Sequence, residues 1–171
     1  MTQPRLLIAG VPAAGKTYFG DWLARTHGYL HLDVENDASV IASGLANVVA
    51  PFRQHGDTER LLDALERLDR PVVFNWGFPP EYLHIVEEFE EVGFELWWLD
   101  ADHARARQKF IERGEVPVKY FDIQVAAITD RWNAITELFD PNLVDVLDAA
   151  GARLGPEEIW QRIQLNGRGA R

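Results

Sequence analysis

The chain has 171 residues, of which 47% are hydrophobic and 26% are charged, and its formal net charge is −10. This length predicts one domain with a buried core, and the acidic balance argues against a long nucleic acid as substrate, because like charges repel. There are no cysteines, which excludes disulfides, thiolate metal sites and cysteine nucleophiles. With no apolar run long enough to span a bilayer and no signal peptide expected, we predict a cytoplasmic protein without a membrane partner.

The most informative segment is residues 5–17, a short apolar run followed by a glycine-rich loop. Its residues Gly10, Gly15, Lys16 and Thr17 match the P-loop pattern G-x-x-x-x-G-K-[ST]. In such a loop the backbone N–H groups surround phosphate oxygens, the lysine reaches the β- and γ-phosphates, and the hydroxyl holds Mg²⁺. We therefore expect a nucleoside triphosphate on residues Gly10, Pro12, Ala13, Ala14, Gly15, Lys16, Thr17 and Tyr18, with Thr17 as the Mg²⁺ ligand.

Strands and helices alternate along the rest of the chain. Apolar runs predict four further strands, at 29–33, 72–75, 94–99 and 143–147. Apolar residues at helical spacing predict helices at about 37–45, 58–70, 80–92, 103–113 and 121–138, and a last one from residue 156. The stretch 48–56, which contains Pro51 and Gly56, is expected to be irregular. This alternation predicts a single α/β domain over residues 1–165, a five-stranded parallel sheet with helices on both faces, and a flexible tail at 166–171.

Ligands of such sheets bind outside the carboxyl ends of the strands. The side chains expected there, besides the P-loop, are Asp33, Asn75 and Asp100. A hydroxyl group that attacks a phosphate needs a carboxylate to orient it and take its proton, and Asp33 is the candidate for this role. Glu35 is the second choice. The alternative is that Asp33 only caps the following turn.

In the order of its elements, the region 4–165 resembles the nucleoside-monophosphate-kinase-like group of P-loop kinases, which includes adenylate, shikimate and gluconate kinases. The P-loop, the segment 97–102 with the helix after it, and the segments 145–149 and 156–158 carry this resemblance. It implies a three-layer P-loop NTPase fold with ATP as the phosphoryl donor and a short lid at 114–119. It also implies a basic pair, with Lys109 stacking on the adenine and Arg113 gripping the transferred phosphate. The alternative for these two side chains is a solvated helix face partnered by Glu112 and Asp102.

The third strand departs from the adenylate-kinase pattern. The run Asn75-Trp76-Gly77-Phe78-Pro79 is similar to Asp-Gly-Phe-Pro-Arg of that family, but Asn replaces Asp, Trp is inserted, and Pro80 stands where the Arg would be. Because that Arg grips a monophosphate, a nucleotide acceptor is disfavoured. Asn75 and Trp76 are expected to line the acceptor site instead, although loop aromatics also fill core edges. Arg53 is expected either to clamp an anionic acceptor or to lie in an ordinary exposed loop.

These patterns predict a P-loop kinase that moves the γ-phosphoryl group of ATP·Mg²⁺ to a hydroxyl group of a small molecule, with Lys16, Asp33 and Arg113 as catalytic residues. A nucleoside-monophosphate kinase and a weakly hydrolysing nucleotide-binding module are the alternatives, and a kinase of nucleic-acid ends is disfavoured by the charge. The sequence selects no particular acceptor and no oligomeric state.

Overall fold

A computed structural model describes residues 3–77, 80–114, 116–147 and 151–167, without the side chains of residues 81, 166 and 167. Several predictions from the sequence fall outside this part of the chain. They concern the motif residues Phe78 and Pro79, residue Glu115 of the expected lid, Asp148 and Ala149 of the last motif, and the tail after residue 167.

Five parallel strands form one sheet in the order β2-β3-β1-β4-β5. The strands are β1 (Arg5–Gly10), β2 (Leu30–Asp33), β3 (Val72–Asn75), β4 (Phe94–Asp100) and β5 (Leu143–Asp145). Strand β1 is at the centre of the sheet and is almost entirely buried, as its continuous apolar run predicts. The predicted α/β fold with a five-stranded parallel sheet is therefore confirmed.

Helices connect the strands. They are α1 (Lys16–His27), α2 (Asp37–Ser43), α3 (Ala46–His55), α4 (Thr58–Glu66), α5 (Leu83–Glu91), α6 (His103–Arg113), α7 (Val118–Asp130), α8 (Trp132–Phe139) and α9 (Pro156–Gly167), with a 3₁₀ turn at Pro80–Tyr82. Local sequence sets their ends: the Asn36 side chain accepts the backbone N–H groups of Ala38 and Ser39 at the start of α2, and Gly44 ends it in the left-handed conformation. Among the described helices, none combines the length and the apolar character that crossing a bilayer requires.

The chain divides into two compact units. The first contains residues 1–8, 17–76 and 82–96, and its core includes Phe74, whose ring lies 4.6 Å from that of Phe89. The second contains residues 9–16, 77–81 and 97–171, and in it the Trp98 ring packs edge-on against Phe139 at 5.5 Å.

The stretch around Pro51 is helical, so the expectation of an irregular segment at 48–56 is wrong. Helix α3 carries Pro51 in its interior and ends at Gly56, which has a φ of 68°. Proline removes one backbone hydrogen bond, but Val49 and Phe52 on the same helix are buried. Burial of these two side chains outweighs the unfavourable local preference of proline.

The predicted long helix at 121–138 is two helices. Arg131 separates α7 from α8 with φ −105° and ψ 10°, outside the helical range. Ile128 and Ile135 are buried on either side of the break. The apolar spacing therefore continues past Arg131, although the helical backbone is interrupted there.

Candidate functional site

The glycine-rich loop after β1 is held against β4. Val11 donates its N–H to the carbonyl oxygen of Leu99 at 3.2 Å. Gly10 has a φ of 144°, and a Cβ at this position would collide with the same Leu99 carbonyl. Only glycine fits this close approach without strain.

The ammonium group of Lys16 closes the loop. Its Nζ donates to the carbonyl oxygens of Gly10, at 2.9 Å, and Val11, at 3.1 Å. Helix α1 begins at Lys16, so its positive end and the lysine charge lie at the same loop. Both features favour an anion there.

The hydroxyl of Thr17 is bonded to the carboxylate of Asp33. Thr17 Oγ1 donates to Asp33 Oδ2 at 2.8 Å, and the backbone N–H of Glu35 donates to Asp33 Oδ1 at 3.1 Å. The Asp33 backbone N–H in turn donates to Ser39 Oγ at 2.9 Å. Asp33 is buried, so a hydroxyl and a carboxylate are fixed together at the start of α1.

A cavity of about 290 Å³ adjoins the loop residues Ala13 and Ala14. Its other walls come from the start of α6 and from the segment after β5. Three cationic side chains line it: Arg105, Lys109 and Arg153.

Arg153 lines this cavity, but the sequence did not predict a role for it. Its guanidinium donates to the Ala14 carbonyl at 3.2 Å, and a Cβ on Gly15 would collide with it. Gly15 has a φ of 99°, so both its backbone conformation and its neighbour require glycine. No periodicity marks Arg153, because it belongs to an irregular segment that forms an isolated antiparallel bridge with Leu147, beyond the end of β5.

The other predicted cations have protein partners. Lys109 donates to Glu112 at 2.8 Å, and this hydrogen bond lowers the pKa of the Glu112 carboxyl. Arg53 donates to the Val34 carbonyl and, at 2.6 Å, to Asp37. Arg113 is the last residue of α6 and is exposed.

The aromatic candidates lie in different surroundings. Trp76 is 8% exposed and packs edge-on against Phe52 at 5.2 Å, as an aromatic side chain that completes a core does. Tyr18 is 58% exposed on α1. The binding role predicted for each stays a prediction.

Asp100 lies at the end of β4, as the sequence predicts, and its side chain is partly buried. Burial raises the pKa of its carboxyl, and the nearby charge of Asp145 acts in the same direction. Its Oδ1 has no hydrogen-bond partner within the described part of the chain.

A second set of polar side chains lies between α1 and the strands. His31 Nδ1 is 2.8 Å from Asp21 Oδ1, and His31 Nε2 is 2.7 Å from Asn75 Nδ2. We call Asp21, His31 and Asn75 the polar row. Gly20 leaves room for it, because a Cβ there would collide with His31 and lie 2.8 Å from Asn75 Nδ2. The sequence predicted a role for Asn75 but gave no sign of its partners.

No protein-family model and no curated protein sequence matches the chain. Solved structures do match. Shikimate kinase from Bacteroides thetaiotaomicron superposes with a TM-score of 0.63 at 16% identity, over 96% of this chain and 98% of that one. The tunicamycin resistance protein of Deinococcus radiodurans gives a TM-score of 0.59 at 16% identity, over 96% and 95% of the two chains. A gluconokinase from Sinorhizobium meliloti 1021 gives 0.53 at 17% identity, over 94% and 90%.

The chain has the fold of the P-loop kinases. The resemblance to the nucleoside-monophosphate-kinase-like group is thereby confirmed for the fold. Within the P-loop kinase fold, the segment 10–17 occupies the position between the first strand and the first helix that a phosphate-binding loop needs. The fold alone does not establish an activity, because activity depends on the side chains of the site.

Proposed function

We propose that this chain is an ATP-dependent phosphotransferase that moves the γ-phosphoryl group of ATP·Mg²⁺ to a hydroxyl group of a small molecule. The observation that carries the proposal is the hydrogen bond from the Thr17 hydroxyl to the buried Asp33 carboxylate. A P-loop hydroxyl and a carboxylate at the next strand end are the oxygen groups that a magnesium-dependent transfer needs on the protein side.

The residues present fit Mg²⁺ and a triphosphate. Hydroxyl and carboxylate oxygens suit this hard cation, and the described residues contain no cluster of three or more His, Asp or Glu that would hold a metal by itself. Phosphate oxygens and water would therefore supply the remaining ligands. Thr17 would bind the metal, Asp33 would accept from its hydration shell, and Lys16 would exchange its two loop carbonyls for phosphate oxygens. When bound, Mg²⁺ neutralises charge on the phosphates.

The cavity beside Ala13 and Ala14 suits the nucleoside part of the donor. It opens on the loop, and its cations Arg105 and Arg153 each hold a backbone carbonyl, those of Gly151 and Ala14. A planar guanidinium that is held in this way can stack on a base. Lys109 lines the same cavity, in keeping with its predicted role.

We assign binding of the phosphoryl acceptor to Glu35 and Arg53. Both oxygens of Asp33 already accept hydrogen bonds, and Oδ2 accepts from the proposed metal ligand. We therefore propose that Asp33 serves the metal. The role of orienting the acceptor hydroxyl then falls to Glu35, the exposed carboxylate two residues further on. Arg53 binds the Val34 carbonyl next to Glu35, and its partner Asp37 is largely exposed, so an anionic acceptor can compete for this guanidinium.

The test is ADP formation from ATP·Mg²⁺ against a panel of small hydroxylated metabolites and nucleoside monophosphates. We expect one compound to raise turnover well above the water background, and Lys16→Ala and Asp33→Asn to lower the stimulated rate by about 100-fold or more. Glu35→Gln should lower it by a similar factor and leave nucleotide binding unchanged. Asp63→Asn and Glu59→Gln, which change exposed acids of α4, are the matched controls.

Two results would contradict the proposal. If the protein binds ATP but no compound stimulates turnover, it is a nucleotide-binding module, the alternative favoured by the neutral Asn75 at the end of β3. If Lys16→Ala binds ATP as well as the unmodified protein does, the loop is not the nucleotide site.

A further inference from the structure

The polar row contains a buried acceptor that its own members leave unused. Asn75 is 2% exposed, and its Oδ1 has no hydrogen-bond partner among the residues that the structure describes. Its Nδ2 faces His31 Nε2. A buried carbonyl oxygen without a donor is unfavourable, so a donor from outside the described residues is expected at this point.

His31 fixes which end of the amide faces outward. The Asp21 carboxylate can only accept, so in the neutral imidazole His31 Nδ1 carries the hydrogen in the pair with Asp21 and Nε2 is left as an acceptor. Asn75 must then present its NH₂ group to Nε2, which directs Oδ1 away from His31. The His31 side chain is 7% exposed, and Gly20 packs directly on the contact. The amide is thus held in one orientation.

The unused oxygen lies on the same face of the sheet as Asp33. Asn75 is the register partner of Asp33 on the neighbouring parallel strand, and His31 is two residues before Asp33 on β2. Register partners on adjacent strands, and residues two apart on one strand, project to the same face. The contacts agree, because Thr17 of α1 reaches Asp33 and Asp21 of α1 reaches His31.

We propose that Asn75 is a second acceptor for the hydration shell of the cation held at Thr17 and Asp33, and that His31 and Asp21 are positioning residues that orient its amide. This inference rests on the proposed function, because it presupposes a cation at Thr17. Mg²⁺ keeps several of its waters, each of which needs an acceptor. A carboxamide meets that need without adding a second negative charge next to Asp33.

The test measures cation binding without turnover. Mn²⁺ is titrated by electron paramagnetic resonance into protein saturated with a non-hydrolysable ATP analogue, and analogue binding is measured separately in EDTA. We expect Asn75→Leu to weaken Mn²⁺ binding about tenfold, as the loss of one hydrogen bond to a cation-bound water implies, and to leave binding in EDTA unchanged. His31→Leu should weaken Mn²⁺ binding several-fold, and His31→Gln, which keeps an acceptor for the Asn75 NH₂ group, should restore most of it. His84→Leu, on α5, is the control.

Asn75→Asp separates this role from a structural one. A carboxylate oxygen directed at the hydration shell should tighten Mn²⁺ binding several-fold even if it lowers the melting temperature. If Asn75 were purely structural, the substitution would weaken Mn²⁺ binding and also lower the melting temperature. The inference is refuted if Asn75→Leu and Asn75→Asp, both shown to be folded by their circular dichroism spectra, bind Mn²⁺ like the unmodified protein. It is also refuted if the substitutions change analogue binding in EDTA as much as they change Mn²⁺ binding. If the unmodified protein binds no analogue, this inference and the proposed function fail together. If the variants behave as expected while no acceptor stimulates turnover, only the kinase proposal fails.

Discussion

Gly20 in the middle of α1 allows a sharp test of the packing around the polar row. In a helix interior, replacing glycine by alanine normally stabilises the protein by about 1 kcal/mol. At this position the new methyl group would collide with His31 and lie 2.8 Å from Asn75 Nδ2. We expect the collision to reverse the usual sign.

The magnitude follows from three contributions. Overpacking against a buried neighbour costs about 1–3 kcal/mol. Separating His31 from Asn75 leaves a buried polar group unsatisfied, at a further cost of about 1–3 kcal/mol. Subtracting the gain in helix propensity of about 1 kcal/mol leaves a net destabilisation of about 3 kcal/mol. For a chain of this size, such a loss lowers the melting temperature by about 6–12 °C.

The assay is thermal and urea unfolding of Gly20→Ala, alone and combined with His31→Ser. Without the imidazole, the remaining close neighbour of the methyl group is Asn75 Nδ2, which is the end of a side chain and can move away. Gly20→Ala should therefore cost at least about 1 kcal/mol less in the His31→Ser background than in the unmodified protein. If Gly20→Ala destabilises both backgrounds equally, the explanation from the His31 contact is refuted. If it stabilises the unmodified protein, the polar row is not tightly packed against α1.

Three further predictions concern other parts of the site. Thr17→Val keeps the shape of the side chain but leaves Asp33 Oδ2 without its donor, so we expect about 1–3 kcal/mol lower stability in urea unfolding, and Mn²⁺ binding to the nucleotide complex reduced about tenfold or more. Asp100→Asn should raise the melting temperature at pH 8. Because burial raises the pKa of Asp100, the ionised carboxylate weakens the fold above that pKa. The gain in melting temperature from Asp100→Asn should therefore shrink as the pH falls toward 3.8, the ordinary pKa of an aspartate. Equal gains at pH 4 and pH 8 would contradict this reasoning. Arg153→Ala should weaken binding of a fluorescent ATP analogue several-fold, and Arg162→Ala, on α9, is its control.

The sequence was sufficient for the fold and for the position of the glycine-rich loop because both depend on local patterns. Lys16 and Thr17 lie in one contiguous motif, and the alternation of apolar strands with amphipathic helices repeats along the chain. Strand ends could be placed for the same reason, and Asp33 and Asn75 lie where predicted, as register partners. The α/β class and the order of elements therefore needed no tertiary information.

The partners of these residues could not be predicted, because they come from distant parts of the chain. His31 and Asn75 are 44 residues apart, and Arg153 and Ala14 are 139 apart. Neither His31 nor Arg153 belongs to a motif, so only the folded chain identifies them. The helix break at Arg131 was missed for a different reason, since the burial pattern of side chains does not record a local change in backbone angles.

The collisions at the two motif glycines have a consequence for how such sequences evolve. At Gly10 the obstacle to a side chain is the Leu99 carbonyl, and at Gly15 it is the Arg153 guanidinium, so both obstacles belong to the protein. Even without nucleotide binding, which belongs to the proposed function, the fold would still require both glycines. Retention of these two glycines in a related chain is therefore not by itself evidence that the related chain binds a nucleotide.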